Sequence, residues 1–124
     1  MRGVIQTMSL QVNTTRAGQI LIVYLQGELD HHTAPKVREV IEQELLHQEY
    51  KHILFNMGTL EFMDSSGIGM ILGRYKQLLS RGGKMGICEM APSIYRLLEM
   101  SGLFKILIVS DTERHAISRL EVLV

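Results

Sequence analysis

Leu60-Glu61-Phe62-Met63-Asp64-Ser65-Ser66-Gly67-Ile68-Gly69 is the join on which the reading of this chain turns. Before it runs Ile53-Leu54-Phe55-Asn56-Met57, apolar enough for a buried strand. After it Ile68, Ile71, Leu72, Tyr75, Leu78 and Leu79 recur at three- and four-residue steps, the period of an amphipathic helix. A strand-to-helix junction thus carries Asp64-Ser65-Ser66 where the helix begins. Unpaired backbone N–H groups and the positive end of the helix dipole favour an anion there. A serine in that place is either an ordinary N-cap or a hydroxyl to which a phosphate can be added and held.

Upstream, Leu10, Val12 and Thr14 alternate with polar residues, and Arg16-Ala17-Gly18-Gln19 reads as a tight turn into the apolar strand Ile20–Leu25. A short turn between two strands predicts an antiparallel hairpin. Gly27-Glu28-Leu29-Asp30-His31-His32-Thr33 follows as a polar loop, with Thr33 as N-cap and Pro35 in the first turn of a helix reaching about His47. Val37, Val40, Ile41 and Leu45 form its apolar stripe, with Glu39, Glu42, Gln43 and Glu44 mainly off it.

Downstream, the helix from about Ser65 to Ser80 stops at Gly82-Gly83. A strand at 84–88, a helix opened by Pro92 and closed by Gly102, and a last strand over Phe104–Val109 come next. Ser110-Asp111-Thr112-Glu113 matches a capping box, and Ala116, Ile117, Leu120 and Leu123 give the final helix its apolar face. The order ββαβαβαβα predicts an α/β domain: a mostly parallel sheet with an N-terminal antiparallel hairpin and about four helices. Loops at the carboxyl ends of parallel strands gather function, which puts Glu28–His32, Met63–Ser66 and Glu89–Ala91 at one end.

Composition narrows the classes. The 124 residues suit one domain, and 13 basic against 13 acidic residues, without a basic block, argue against nucleic acid as a partner. No run approaches the roughly 20 apolar residues that span a bilayer, so no membrane insertion is expected, and the chain reads as cytoplasmic. The single cysteine, Cys88, lies in an apolar run and reads as a buried hydrophobe.

Three chemistries compete at the junction. Neither Ser65 nor Ser66 has the flanking glycines of a nucleophile elbow, and no spacing selects His31 or His32 as a base, so no catalytic residue is assigned. Gly67, Gly69 and Gly73 with Glu89 resemble a dinucleotide fingerprint, but the spacing is one residue too long and the glycines fall inside the helix. Gly69 and Gly73 share a helix face, which they keep flat for close approach of a sheet or a partner. His31 and His32, adjacent and expected to point apart, lack a third ligand, so neither metal nor cofactor is expected. Phosphorylation of a helix-start serine remains. It would turn a neutral hydroxyl beside flat glycines into a dianion without unfolding the chain, which is the physics of a binding switch.

Gly27–Thr33, Phe62–Gly69 with Gly73-Arg74-Tyr75-Lys76, and Met100-Ser101-Gly102-Leu103-Phe104-Lys105-Ile106 closely resemble the STAS-class anti-sigma factor antagonists of spore-forming bacilli. The resemblance covers residues 8–124 as a single STAS-type domain, with Met8 resembling the usual start and residues 1–7 an N-terminal extension or cloning scar. It implies a regulator rather than an enzyme. Its unphosphorylated form would bind an anti-sigma F factor, a serine kinase carrying ATP or ADP, and release sporulation sigma factor F. The kinase would phosphorylate Ser65, and a PP2C-type phosphatase would restore it. Asp64 and Ser66 would then shape the acceptor loop, Gly67 and Gly69 would let the kinase close, and Asp30 would make a charge contact. The alternatives are a STAS module in a stress-response complex, or a nucleotide-binding or hydrolytic α/β protein.

Overall fold

The computed structural model describes residues 2–6 and 9–122. One six-stranded sheet runs in chain order, β1 (Arg2–Gln6), β2 (Leu10–Ala17), β3 (Ile20–Leu29), β4 (His52–Met63), β5 (Met85–Cys88) and β6 (Ile108–Ser110). The β1–β2–β3 pairs are antiparallel and the β3–β4–β5–β6 pairs parallel. Four helices intervene: α1 (Ala34–His47), α2 (Ser65–Leu79), α3 (Pro92–Ser101) and α4 (Glu113–Val122). This is the expected α/β architecture with one strand more. Arg2–Gln6, inside the segment read as an extension, pair with β2 at the sheet edge. Met8, read as a start, and Leu123, expected on α4, lie outside the described residues.

Strand alternation divides the core. Leu21, Val23, Leu25, Ile53, Phe55 and Met57 face one side, where α1, α2 and α3 bury Val37, Ile41, Ile71, Leu78, Ile94 and Leu98 against them. Ile20, Ile22, Leu54 and Cys88 face the other side, covered by Ala116 and Leu120 of α4. Burial, then the charges of Glu89 and Glu113, push the Cys88 thiol up to about 12, so it packs as a hydrophobe.

Four expectations are corrected. The segment Phe104–Val109 is no single strand: Leu103–Lys105 form a 3-10 turn, and only Ile108–Ser110 join the sheet. The α4 cap is Thr112, whose hydroxyl accepts from His115 N–H at 3.2 Å; Glu113 instead donates its N–H to Glu89 and accepts from Asn56. On α2 the buried stripe is Gly67, Met70, Ile71, Arg74 and Leu78, leaving Leu79 exposed. Glu44 is buried on α1, within 3.3 Å of the Tyr50 hydroxyl that donates to it.

Candidate functional site

Two neighbouring parallel strands deliver the site. Leu29 at the end of β3 pairs with Met63 at the end of β4, so the chain leaves both strands at the same level. Asp64 N–H then donates to the Leu29 carbonyl at 3.2 Å, tying the β4–α2 junction to the β3–α1 loop. Asp30 and Asp64 therefore follow paired residues and lie side by side at the sheet's carboxyl end.

Asp64 is the N-cap of α2. Its backbone is extended (φ −115°), and its carboxylate accepts from Ser66 N–H at 2.8 Å. Its carbonyl accepts from Gly67 N–H at 3.1 Å. The acid thus performs the capping that a serine could have done. Ser65 is the first helical residue and is exposed, and among the described residues its hydroxyl takes no hydrogen-bond partner. Ser66 is half-buried.

Asp30 closes its own loop. Its carboxylate accepts from His32 N–H at 2.9 Å and Thr33 N–H at 3.0 Å, and its carbonyl accepts from Ala34 N–H at 2.8 Å. Thr33 holds the N-cap position as expected, but its side chain makes no capping bond: it is buried, its hydroxyl donating to the Glu28 carbonyl at 2.8 Å and accepting from Asp30 N–H at 2.9 Å. The Asp30 carboxylate closes an Asx-type turn just before the helix, taking two N–H groups that a single hydroxyl could not. The His31 and His32 rings, expected to diverge, meet edge to face with centroids 4.6 Å apart.

Desolvation raises the Asp30 pKa, but the hydrogen bonds from Thr33 and His32 outweigh it and hold the carboxyl below its ordinary value. The sign follows: this carboxylate stabilises the fold above the ordinary aspartate range, and the contribution is lost as pH falls through the lowered folded value. A carbon-13 titration of the Asp30 carboxyl is expected to show a midpoint below that of a peptide aspartate. A midpoint at or above the peptide value contradicts the loop geometry.

A shallow groove of about 400 Å³ lies alongside, between the start of α1 and α2, lined by His31, Pro35, Arg38, Ser66, Gly69 and Arg74 among others. A methyl group at Gly69 or Gly73 would meet nothing within 4 Å, whereas one at Gly67 would press on Met63 and Leu29 at 2.7–2.9 Å. The space at Gly67 is therefore filled by the protein itself, and the flat outer surface belongs to Gly69 and Gly73. Arg74, buried on α2, donates to Gln77 at 2.8 Å and faces Glu42 at 3.4 Å. Arg38 and Arg74 make the groove basic. Spacing alone did not single them out, although Arg74 stands in the Gly73–Lys76 motif.

Glu89 does not join this end. β5 stops at Cys88, opposite Asn56, and Met63 lies seven residues further along β4, about 23 Å in extended chain. Glu89 sits beside Gly58 and accepts from Glu113 N–H at 2.8 Å. The dinucleotide reading, which needed Glu89 near the glycines, loses its second element. No helix among the described residues is long and apolar enough to cross a membrane.

The STAS domain family matches residues 11–116. The anti-sigma F factor antagonist of Paenibacillus polymyxa is 46% identical over 115 residues, covering 93% of this chain and 98% of that protein. The solved structure of the anti-sigma factor antagonist SpoIIAA in its unphosphorylated form is similar with a TM-score of 0.79 and 30% identity, over 91% of this chain and 98% of that one. The Bacillus cell fate determinant SpoIIAA in its phosphorylated form gives a TM-score of 0.68 and 31% identity, over 90% and 98% of the two chains. With the Asp64–Ser65 junction inside the matched span, this chain belongs to the STAS domain family.

Proposed function

We propose that this protein is an anti-sigma factor antagonist controlled by phosphorylation of Ser65. In the unphosphorylated form it binds an anti-sigma F factor, a serine kinase with ATP or ADP bound, and so frees sporulation sigma factor F. The kinase transfers the γ-phosphoryl group of ATP to the Ser65 hydroxyl, which ends the complex. A PP2C-type phosphatase removes it. The likeness to anti-sigma factor antagonists, one of them solved in a phosphorylated form, supports this reading. The observation that carries it is the exposed Ser65 hydroxyl, spare because Asp64 already caps α2. The chain acts as phosphate acceptor and binding partner in the cytoplasm, the nucleotide belonging to the kinase. Asp30, Asp64, Ser66, Gly67 and Gly69 form or shape the contact surface, with residues 8–124 as the working domain.

Intact mass after incubation with the anti-sigma F kinase and ATP is expected to rise by one phosphate, mapped to Ser65. No gain by a folded chain, or a full equivalent on another residue, overturns the assignment. The glycines supply an independent check. Gly69→Ala relieves a mid-helix glycine in open space and is expected to stabilise the free protein by about 1 kcal/mol in urea unfolding. The same methyl group stands on the docking face and is expected to weaken the kinase complex. Stabilisation with unchanged kinase binding would remove Gly69 from the interface.

A further inference from the structure

We infer that the groove between α1 and α2 takes an acidic side chain of the kinase, held on the guanidinium fork of Arg74. The inference rests on the reading of this chain as the partner of an anti-sigma kinase, and names the chemistry by which that partner is gripped. Ser65, Gly69 and Gly73 recur at four-residue steps and share one face of α2. A methyl group at either glycine would meet nothing within 4 Å, so the face is open. A bare stripe only permits approach; the neighbouring arginine gives it a preference.

Arg74 is only 8% exposed, yet it lines the groove. Its Nε donates to Gln77 at 2.8 Å and lies 3.4 Å from Glu42 Oε1, a buried oxygen that makes no hydrogen bond. Its two terminal nitrogens donate to nothing among the described residues. Burial lowers the Arg74 pKa from the ordinary arginine value, Glu42 opposes the shift and Arg38 adds to it. A cation so deeply placed is costly unless its N–H groups are bonded, and its planar fork matches the two oxygens of a carboxylate.

The rest of the groove agrees in sign and shape. Arg38, exposed on the α1 wall, makes no hydrogen bond or ion pair among the described residues, and no carboxylate lines the groove among them. Pro35, Met70 and the bare glycines supply apolar walls on the way to Arg74. Such walls suit a carboxylate carried on a methylene stem by a protein surface better than a free, fully hydrated anion. Ser65 stands one helical turn, about 6 Å, from Gly69. A phosphate there would stand beside the path of the entering carboxylate and repel it, which gives the switch a specific opponent.

The test is calorimetric titration of the full chain and its variants with the anti-sigma F kinase. Arg74→Gln is expected to lose roughly 30-fold in affinity, and Arg38→Glu, which inverts an exposed charge, roughly tenfold with the fold intact. Arg74→Lys keeps the charge without the fork and supplies an amine. Carbodiimide coupling of its kinase complex is expected to join position 74 to an aspartate or glutamate of the kinase, a product that a packing role for Arg74 would not give. Should Arg74→Gln fail to fold, Arg38→Glu and the coupling decide. Affinity unchanged in the folded variants, or no kinase carboxylate coupled at position 74, overturns the inference while leaving kinase binding by the parent chain intact. A parent chain that does not bind the kinase overturns the proposed function, and this inference with it.

Discussion

Ser65→Asp is expected to leave the protein folded and to weaken its complex with the kinase about 100-fold, close to 3 kcal/mol. The two halves of this result have separate causes. Ser65 is exposed at the first residue of α2, where a negative charge is favoured by the helix dipole and opposed by Asp64 next to it. These terms nearly cancel, so the change in unfolding free energy should stay below about 0.5 kcal/mol. On the proposed reading no such cancellation operates at the docking face, because a new carboxylate there must be desolvated against a surface that accepts a hydroxyl. Phosphate, with nearly two charges, should act more strongly than aspartate. Ser65→Ala separates charge from shape: it should bind the kinase, release the sigma factor and accept no phosphate. Calorimetric binding of the three forms checks this. Undiminished binding by Ser65→Asp, in a folded protein, would show that the switch is not a local charge effect.

The second large effect lies away from the hydroxyl. Gly27→Ala is expected to destabilise the fold by about 3 kcal/mol in urea unfolding. Gly27 sits in β3 with φ of +102°, a region that side-chain-bearing residues rarely adopt. A methyl group there would land on the Ser9 carbonyl oxygen, part of the backbone and unable to swing aside. That same carbonyl accepts from Glu28 N–H at 2.7 Å, so moving it would break a bond that seats the last residues of β3. Asp30 lies three residues on, and the variant should therefore also loosen the Asp30 loop. A stability change under 1 kcal/mol would contradict the close approach of the two strands.

The order of elements and the face of each core helix were largely readable because long periodic runs such as Val37–Leu45 and Ile20–Leu25 admit one interpretation. The full lengths of β3 and β4 were not. Their pairing register slips between Tyr24 and Gln26 and again between Gly27 and Glu28, so alternation is interrupted where a reader needs it. The stretch from Gly58 to Met63 consequently lies beyond the expected strand yet continues as strand to the site. Capping side chains were misread for a related reason. Ser, Thr and Asp all suit a helix start, and which one caps depends on tertiary seating. Asp64 is seated by its bond to Leu29, and Asp30 by its Asx turn. The proposed acceptor position came from motif resemblance, because nothing in periodicity separates Ser65 from Ser66. The groove cations Arg38 and Arg74 come from different helices, so only folding brings them to one surface.

The division of labour between Asp64 and Ser65 reaches into the life of the protein in a cell. Had the helix been capped by the hydroxyl at 65, every chemical change there would strip a bond from the first turn and shift the population of opened, protease-sensitive molecules. With the cap held by the neighbouring carboxylate, the proposed phosphorylation of Ser65 leaves survival of the chain an independent variable. A cell could hold this protein for long periods in either state at the same abundance, and change the signal without first changing the supply.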